Sequence, residues 1–276
     1  IDPVTGVISG TLIDNGNFEI SLKAENNMTS DRKTLVIRSG DRMLSQTPPM
    51  GWNSWNVWGC AVDDQKIRQA ADYMVSSGLV NHGYQYINID DCWQGERAAN
   101  GEIQANSKFP DMKALTDYVH SKGLKIGIYS SPGPKTCAGY EGSQGYELRD
   151  AQTYADWGFD YLKHDWCSER SSDLKAPYQL MRAALDLVNR DIVYSLCQYG
   201  MGQVWTWGHE VGANLWRTTG DIYDAWFSMS GIGFNQNGLE GYAGPGHFND
   251  PDMLVVGYVG WGPHLHPTRL TQTEQV

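Results

Sequence analysis

Two aspartates in the second half of the sequence have the setting of a catalytic carboxylate pair. Asp165 ends an apolar segment and lies two residues after Lys163, the interval that places both side chains on one face of a strand. A cation beside a carboxylate holds it ionised, as a nucleophile requires. Asp221 comes just after Arg217, at the end of another apolar segment. Hydrolysis of a glycosidic bond uses two carboxylates, one to attack the anomeric carbon or activate water and one to protonate the leaving oxygen.

Both carboxylates also have a structural interpretation, which the residues alone leave open. Lys163 and Asp165 could form an internal ion pair that closes one end of the fold. Asp221 opens a predicted helix, so it could be the N-cap of that helix, with Asp224 as an acid in its first turn.

The adjacent acids Asp90–Asp91 suit paired hydrogen-bond acceptors for vicinal sugar hydroxyls. Helix capping, solvent exposure and metal chelation are the alternatives. A hard cation needs further oxygen ligands, and no dense acidic loop surrounds this pair. The seven histidines form no H-x-x-x-H or H-x-H array, which disfavours zinc. We therefore expect neither a metal nor another cofactor.

Strands and helices must alternate to position these residues. The predicted strands are Gly51–Trp55, Tyr84–Asp91, Lys125–Ser130, Phe159–Asp165, Ile192–Cys197, Leu215–Thr218 and Gly246–Asp250. The predicted helices are Asp63–Ser77, Asp111–Lys122, Asp150–Trp157, Ala176–Asn189, Gln203–Glu210 and Asp221–Met229. Alternation of this kind predicts a parallel sheet.

The repeats predict an incomplete α/β fold, a (β/α)8 TIM barrel whose eighth strand is absent. Such barrels take about 250 residues, and residues 47–276 fall short by one unit. Thr268–Val276 is predicted to begin a further helix. Catalytic groups of these barrels collect at the C-terminal ends of the strands, where the aspartates above lie. An open doubly wound sheet is the rival fold, but no glycine-rich phosphate loop follows any predicted strand.

A different pattern precedes the barrel. Apolar–polar alternation with intervening turn residues predicts three strands, Gly6–Ile13, Asn17–Ala24 and Thr34–Arg38. Three strands rarely form an independent domain, so we interpret residues 1–46 as part of an Ig-like β-segment. Thr47–Pro48–Pro49 stiffens the boundary, and residues 47–276 form the predicted catalytic domain.

Composition limits the partners. A net charge of −11 disfavours nucleic acid, and no apolar run is long enough to span a membrane. The 11 tryptophans and 15 tyrosines suit a cleft that grips sugars, although large barrels are also rich in aromatic residues. Four of the five cysteines could form two disulfides, which would indicate a secreted or periplasmic protein; a reduced cytosolic protein is the alternative. The sequence does not indicate an oligomeric state.

Six segments in order resemble glycoside hydrolase family 27, the family of α-galactosidases and α-N-acetylgalactosaminidases. They are Met50–Gly51–Trp52–Asn53–Ser54–Trp55, Ile89–Asp90–Asp91–Cys92–Trp93, Gly127–Ile128–Tyr129, Tyr161–Leu162–Lys163–His164–Asp165, Trp216–Arg217–Thr218–Thr219–Gly220–Asp221–Ile222 and Asn249–Asp250–Pro251–Asp252–Met253. The resemblance leads us to expect that residues 47–276 stop before the eighth strand and the C-terminal β-domain that family members carry.

The resemblance implies an exo-acting, retaining hydrolase of terminal α-D-galactosyl residues in oligosaccharides or glycoconjugates. Asp165 matches the nucleophile, and Asp221 matches the acid/base. The substrate-binding residues that we carry over are Trp55, Asp90, Asp91, Tyr129, Lys163, Cys197, Tyr199, Arg217 and Asp252. The matching disulfides are Cys60–Cys92 and Cys137–Cys167, which leave Cys197 free.

Two positions bear on specificity. Small residues after the fifth strand would admit an N-acetyl group, whereas Tyr199 is bulky and favours galactose. Relatives that cleave β-L-arabinopyranosides alter the second residue of the aspartate pair, and Asp91 is unaltered. An α-N-acetylgalactosaminidase, a β-L-arabinopyranosidase and an inactive carbohydrate-binding barrel remain the alternatives.

Overall fold

The computed structural model describes residues 1–2, 6, 8, 13–40 and 43–275, which divide into two compact units, Ile1–Met43 and Leu44–Val276. The first unit contains an antiparallel hairpin of β1 (Gly16–Glu25) and β2 (Ser30–Ser39). The side chain of Asn26 accepts hydrogen bonds from the backbone of Met28 and Thr29 and closes the turn. This hairpin confirms two predicted strands. The third, Gly6–Ile13, lies largely outside the described residues, and the Ig-like character stays a prediction.

The second unit is built on one parallel sheet of seven strands. In spatial order they are β3 (Met50–Asn53), β4 (Tyr84–Asn88), β7 (Lys125–Ser130), β8 (Tyr161–Asp165), β9 (Val193–Cys197), β10 (Leu215–Arg217) and β11 (Phe248–Asp250). Neighbours in the sheet follow one another along the chain, apart from β5 (Gln94–Arg97) and β6 (Ile103–Ala105), which form a separate hairpin between β4 and β7. Each predicted barrel strand is therefore found, usually a residue or more shorter than expected.

Helices connect these strands and cover one face of the sheet. They are α1 (Trp55–Trp58), α2 (Asp64–Ser76), α3 (Met112–Ser121), α4 (Glu147–Trp157), α5 (Ala176–Leu187) and α6 (Trp226–Phe234). Asp63 and Asp111 cap α2 and α3 by accepting hydrogen bonds from backbone amides of the first turn. The main core lies between the helices and the outward residues of the strands, such as Leu162, Leu196 and Trp216.

The inward residues of the strands show that the sheet curls as a barrel does. Tyr161, Val193 and Leu215 open neighbouring strands and pack together with Tyr86 and two partly buried residues, Leu44 and Phe248. A flat sheet could not bring residues of five strands into one cluster. The fold is an incomplete TIM barrel, as predicted.

The two edges of the curled sheet are connected by loops. Near the N-terminal ends of the strands, Gly246 donates a backbone hydrogen bond of 2.8 Å to Ser45 O. At the opposite end, the segment after β11 forms a small hairpin of β12 (Tyr258–Val259) and β13 (His266–Pro267) and reaches α1. The gap in the barrel is thereby bridged at both ends.

Three predicted helices differ from the structure. Gln203–Glu210 contains only a 3-10 turn, Val204–Thr206, within a glycine-rich segment. The helix predicted at Asp221 begins at Trp226. The residues before it form a loop in which the amide of Ile222 donates to the side chain of Asp252. The interpretation of Asp221 as an N-cap is therefore wrong, since Ala225 has that position. Thr268–Val276 forms turns in its described part, not a helix.

Candidate active site

The predicted site residues collect at the C-terminal ends of the strands. Alternation along β8 points Tyr161, Lys163 and Asp165 into the barrel. Tyr161 lies at the N-terminal end of the strand, in the apolar cluster, and Asp165 lies at its C-terminal end. Cys197 is the register partner of Asp165 on β9, and Arg217 ends the next strand. The parallel register thus places successive polar side chains around one mouth.

Asp165 lies at the centre of a buried hydrogen-bond network. Its side chain receives the hydroxyl of Tyr129 at 3.0 Å on Oδ2 and the hydroxyl of Tyr199 at 2.8 Å on Oδ1. Only 6% of the residue is exposed. Burial raises the pKa of Asp165 above its usual value, while the charge of Lys163 and the Tyr199 hydrogen bond oppose that rise. Two donors and a nearby cation thus favour the ionised form that burial disfavours.

Lys163 balances the negative charge of the pocket. Its ammonium group donates to Asp90 Oδ2 at 2.8 Å and lies 5.2 Å from the centre of the Tyr129 ring. Burial alone would lower the pKa of Lys163, but the charges of Asp90 and Asp165 raise it well above its ordinary value. The lysine is therefore a permanent cation between the two acids. Lys163 interacts with Asp165 through its charge, and its direct salt bridge is with Asp90.

The aspartate pair is buried and fixed by hydrogen bonds within its own loop and from neighbouring segments. Asp90 Oδ2 also accepts from the side-chain amide of Asn53 at 2.8 Å, and the backbone amide of Asp90 donates to Ser54 Oγ. Asp91 accepts from the backbone amides of Cys92 and Ala138 through its two oxygens. Burial raises the pKa of Asp91, and these hydrogen bonds oppose the rise. Both side chains retain lone pairs for further donors.

Both disulfides have the pairing that the resemblance implied. Cys60–Cys92 links the segment after α1 to the aspartate pair, and Cys137–Cys167 links the loops after β7 and β8. Cys137 Sγ lies 3.8 Å from Asp165 Oδ2 and 3.6 Å from the Tyr199 hydroxyl. Together with Asp165 these two sulfurs form one cluster of potential metal ligands in the described part of the chain. Joined to each other, the sulfurs are not free thiolates, so the cluster is a poor metal site.

Asp221 lies on the loop after β10 in a very different environment. Its side chain is 69% exposed and accepts from Arg217 Nη2 at 3.1 Å. The Arg217 guanidinium lies 5.9 Å from the centre of the Tyr199 ring, and the Tyr199 hydroxyl binds Asp165. The charges of Asp165 and Asp221 both contribute to raising the pKa of Tyr199, after the larger effect of its burial. Tyr199 therefore links the two carboxylates: its hydroxyl donates to Asp165, and its ring lies beside Arg217, the partner of Asp221.

Asp252 is placed beneath the Asp221 loop. Its buried carboxylate accepts from Arg217 Nη2 at 2.9 Å and from the backbone amide of Ile222 at 2.8 Å. Its other oxygen accepts from the amide of Met253. Asp252 also has a φ of 93°, a strained value for a residue with a side chain. These contacts hold Arg217 and the residue after Asp221, and the substrate-binding role expected of Asp252 stays a prediction.

Cys197 and Tyr199 lie between the two carboxylates. Cys197 is a buried free thiol, and Arg217 Nη1 lies 3.5 Å from its sulfur. Burial and the charge of Asp165 raise the pKa of this thiol well above its usual value, which keeps it neutral. The φ of Tyr199 is 64°, and this left-handed conformation precedes Gly200, where a Cβ would lie 2.3 Å from Thr218 O. The tight turn directs the Tyr199 hydroxyl to Asp165.

Trp55 is connected to the aspartate pair through Asn53, which accepts from the Trp55 backbone amide and donates to Asp90. Its aromatic neighbour Trp261 was not predicted. Their ring centres are 5.8 Å apart. Asn53 and Ser54 were also missed as individual site residues, although both fall within the first family motif. Trp261 has no such signal, because it belongs to an irregular loop whose position depends on contacts with α1.

A curled parallel sheet that delivers two carboxylates, a buried lysine and partly exposed tryptophans to one mouth has the features of a (β/α)-barrel glycoside hydrolase. The family model described as "Alpha galactosidase A" matches residues 47–271. The chain therefore belongs to the α-galactosidase A family.

Individual relatives agree. An alpha-galactosidase A from Cellvibrio japonicus is 53% identical over 227 residues, covering 78% of this chain and 56% of the relative. An alpha-galactosidase from Cyamopsis tetragonoloba is 50% identical, covering 79% of this chain and 54% of the relative. This chain thus spans just over half the length of both.

Solved structures show the same fold. That of alpha-galactosidase I from Mortierella vinacea superposes with a TM-score of 0.73 at 38% identity, covering 79% of this chain and 62% of the other. The structure of a β-L-arabinopyranosidase from Geobacillus stearothermophilus also superposes with a TM-score of 0.73. It is 26% identical, and the match covers 85% of this chain and 68% of the other. Within the described residues, every helix is too short or too polar to cross a lipid bilayer.

Proposed function

We propose that this chain carries the active site of a retaining exo-α-galactosidase. The observation that carries the proposal is the pair of carboxylates in contrasting environments around Tyr199. Asp165 is buried, held by two tyrosine hydroxyls and balanced by Lys163, whereas Asp221 is exposed and held by Arg217. A nucleophile and an acid/base need these two different environments.

In the first step, Asp165 attacks the anomeric carbon of the galactosyl unit. The bond to the leaving oxygen breaks while Asp221 donates its proton to that oxygen. The product of this step is a covalent galactosyl-enzyme, and Asp221 is left ionised beside Arg217. In the second step, Asp221 removes a proton from water as the water oxygen attacks the anomeric carbon and releases Asp165. Two displacements retain the configuration of the substrate.

The buried acids supply recognition in this mechanism. Asp90 and Asp91 accept hydrogen bonds from sugar hydroxyls. Lys163 donates a hydrogen bond to the hydroxyl that donates to Asp90. Trp55 covers the apolar face of the ring. Tyr129 and Tyr199 hold the Asp165 carboxylate in place, since both donate to it. Asp252 acts through Arg217 and the loop that carries Asp221.

Three observations bear on the alternatives. Tyr199 occupies the region beside Cys197 with its ring next to Arg217, which disfavours an N-acetyl group. Asp91 is buried and retains acceptor capacity for a hydroxymethyl hydroxyl, which favours galactose over arabinopyranose. Both carboxylates are present, which disfavours an inactive binding barrel. The two disulfides support a secreted or periplasmic location, since such bonds persist in oxidising compartments.

Hydrolysis of three nitrophenyl glycosides by the full-length protein tests the proposal. We expect the α-galactoside to be cleaved at least about tenfold faster, in kcat/KM, than the β-L-arabinopyranoside and the α-N-acetylgalactosaminide, because one lost or clashing substituent changes binding by about 1–3 kcal/mol. The released sugar should be α-galactose before mutarotation, as observed by NMR. Release of the β-anomer would exclude a retaining mechanism.

A further inference from the structure

Trp261 is a large apolar side chain that the fold holds at the surface. It is 59% exposed, and its ring packs beside Trp55 with an angle of 48° between the planes. Trp55 belongs to the first family motif and is only partly exposed. Asn53 accepts from the Trp55 backbone amide and donates to Asp90, so the aromatic pair lies next to the aspartate pair, with Trp261 as its solvent-exposed member.

The backbone around Trp261 is fixed on both sides. Gly260 donates to Asn56 O at 3.0 Å, and Gly262 donates to Val57 O at 2.8 Å. Both acceptors belong to α1, the helix that begins with Trp55. These two hydrogen bonds fix the position of Trp261 relative to α1, the helix that begins with Trp55.

This position is conformationally costly. Trp261 has a φ of 58°, in the left-handed region that a bulky residue rarely adopts. Its neighbour Gly262 approaches α1's C-terminal side so closely that a Cβ would lie 2.4 Å from Ala61 Cβ. Strain of this kind persists where surrounding contacts enforce it, and it concentrates at functional sites. Because the Trp261 ring is mostly exposed, its burial contributes little to the free energy of folding. Stability therefore does not explain why the strained conformation is kept.

We propose that Trp261 binds the sugar ring that follows the galactosyl unit in the substrate, by stacking on its C–H face. This inference rests on the proposed function. An exo-acting site encloses the terminal sugar and opens toward the leaving group, so an exposed ring at the rim lies on the leaving-group side. The indole offers an apolar face and one N–H donor, which match the face and the hydroxylated edge of a pyranose.

The test compares two substrates that share galactose and differ in the leaving group. Raffinose releases a disaccharide, whereas α-galactosyl fluoride releases a single atom and has no second ring. In Trp261→Ala we expect kcat/KM for raffinose to fall about five- to tenfold, the scale of one aromatic stacking contact. kcat/KM for the fluoride and Ki for free galactose should stay within about twofold of wild type.

Trp261→Phe keeps a smaller aromatic face. On a logarithmic scale, its kcat/KM for raffinose should fall by about half as much as that of Trp261→Ala. Phe234→Ala is the matched control, because Phe234 is 77% exposed at the end of α6 and has no place in the proposed site. This control should leave both substrates unchanged. Circular dichroism of each variant verifies that the fold is retained, and galactose binding gives a second readout if turnover is slow.

An equal loss for raffinose and the fluoride, or no loss for either, would overturn the role of Trp261 while leaving the galactosidase proposal intact. A wild-type protein that hydrolyses neither substrate would overturn both. A loss in Phe234→Ala as large as in Trp261→Ala would also contradict the assignment, because it would reflect general destabilisation.

Discussion

The two sides of the candidate active site differ in how the chain builds them. The Asp165 side consists of strand residues in register, buried side chains and a disulfide that joins two neighbouring loops. The Asp221 side is an irregular loop after β10, fixed from below by Arg217 and Asp252. One carboxylate is 6% exposed and the other 69%.

This contrast matches what the two proposed roles require. A nucleophile must approach one carbon atom at a fixed position. Burial raises the pKa of Asp165, and the charge of Lys163 and the Tyr199 hydrogen bond favour the ionised form against that effect. An acid/base must exchange its proton with water in every cycle, so it benefits from exposure. In the proposed mechanism, the covalent bond forms on the buried, fixed side of the site, and the proton is exchanged on the exposed side.

The largest expected effect is that of Asp165→Asn. Without the nucleophile, kcat/KM for nitrophenyl α-galactoside should fall at least about 10⁴-fold, because no covalent intermediate forms. The matched control is Asp117→Asn, an exposed acid on α3 whose ion pair with Lys113 lies on the helix surface. Steady-state kinetics of both variants measure the difference. Comparable activity in the two variants would remove the distinction between the two sides.

Removal of the acid/base should have a smaller effect that depends on the substrate. In Asp221→Ala, we expect kcat/KM for raffinose to fall about 10³-fold, within the range for general acid catalysis. The loss for a dinitrophenyl galactoside should be much smaller, since that leaving group needs no proton.

Added azide gives an independent readout for Asp221→Ala. It should attack the galactosyl-enzyme without general base assistance and yield α-galactosyl azide, the retained product. The β-azide would instead mean that the variant forms no covalent intermediate, and the roles of the two carboxylates would be exchanged.

Asp252→Asn weakens the exposed side without touching a proposed reacting atom. The variant leaves the buried Arg217 without one charge partner, so the free energy of unfolding should fall by about 3 kcal/mol. Misplacement of the Asp221 loop should lower kcat about ten- to a hundredfold. Asp186→Asn, which breaks the pair between Arg182 and the more exposed Asp186 on α5, is the control. Urea denaturation and steady-state kinetics give both quantities; wild-type values in both would exclude the positioning role.

Lys163→Met alters the charge balance of the buried side. Burial raises the pKa of Asp165 and Lys163 lowers it, so removing the lysine should raise that pKa further. The nucleophile must be ionised, and the acid limb of kcat/KM should therefore move to higher pH. Ki for galactose should rise about tenfold through the loss of one charged hydrogen bond.

The control for that variant is Lys113→Met, which removes an exposed lysine on α3. Its pH profile should coincide with that of the wild type. An acid limb that moves to lower pH in Lys163→Met, or does not move, would contradict the proposed charge balance.

The same contrast decides what the sequence could predict. On the buried side, strand alternation alone places Lys163 and Asp165 on one face, and parallel register brings Tyr129 and Cys197 beside them. These features depend on local periodicity, so they are visible in the residues. The disulfide pairing was available only from the family resemblance.

On the exposed side, local patterns placed the start of a helix too early. The helix expected from Asp221 begins five residues later, and the loop before it is held by Asp252, which accepts from the amide of Ile222 thirty residues away in the sequence. Trp261 was missed for the same reason, since its position depends on backbone contacts with α1. Long-range contacts of this kind leave no periodicity in the sequence.

The central claim is that Asp165 forms the covalent bond to the sugar. Treatment of the wild-type protein with a galactose-configured inactivator that traps the glycosyl-enzyme, followed by peptide mass spectrometry, tests it directly. We predict one label per chain, on the peptide that contains Asp165, and protection by excess galactose. A label on Asp221 or on any other residue would contradict the account.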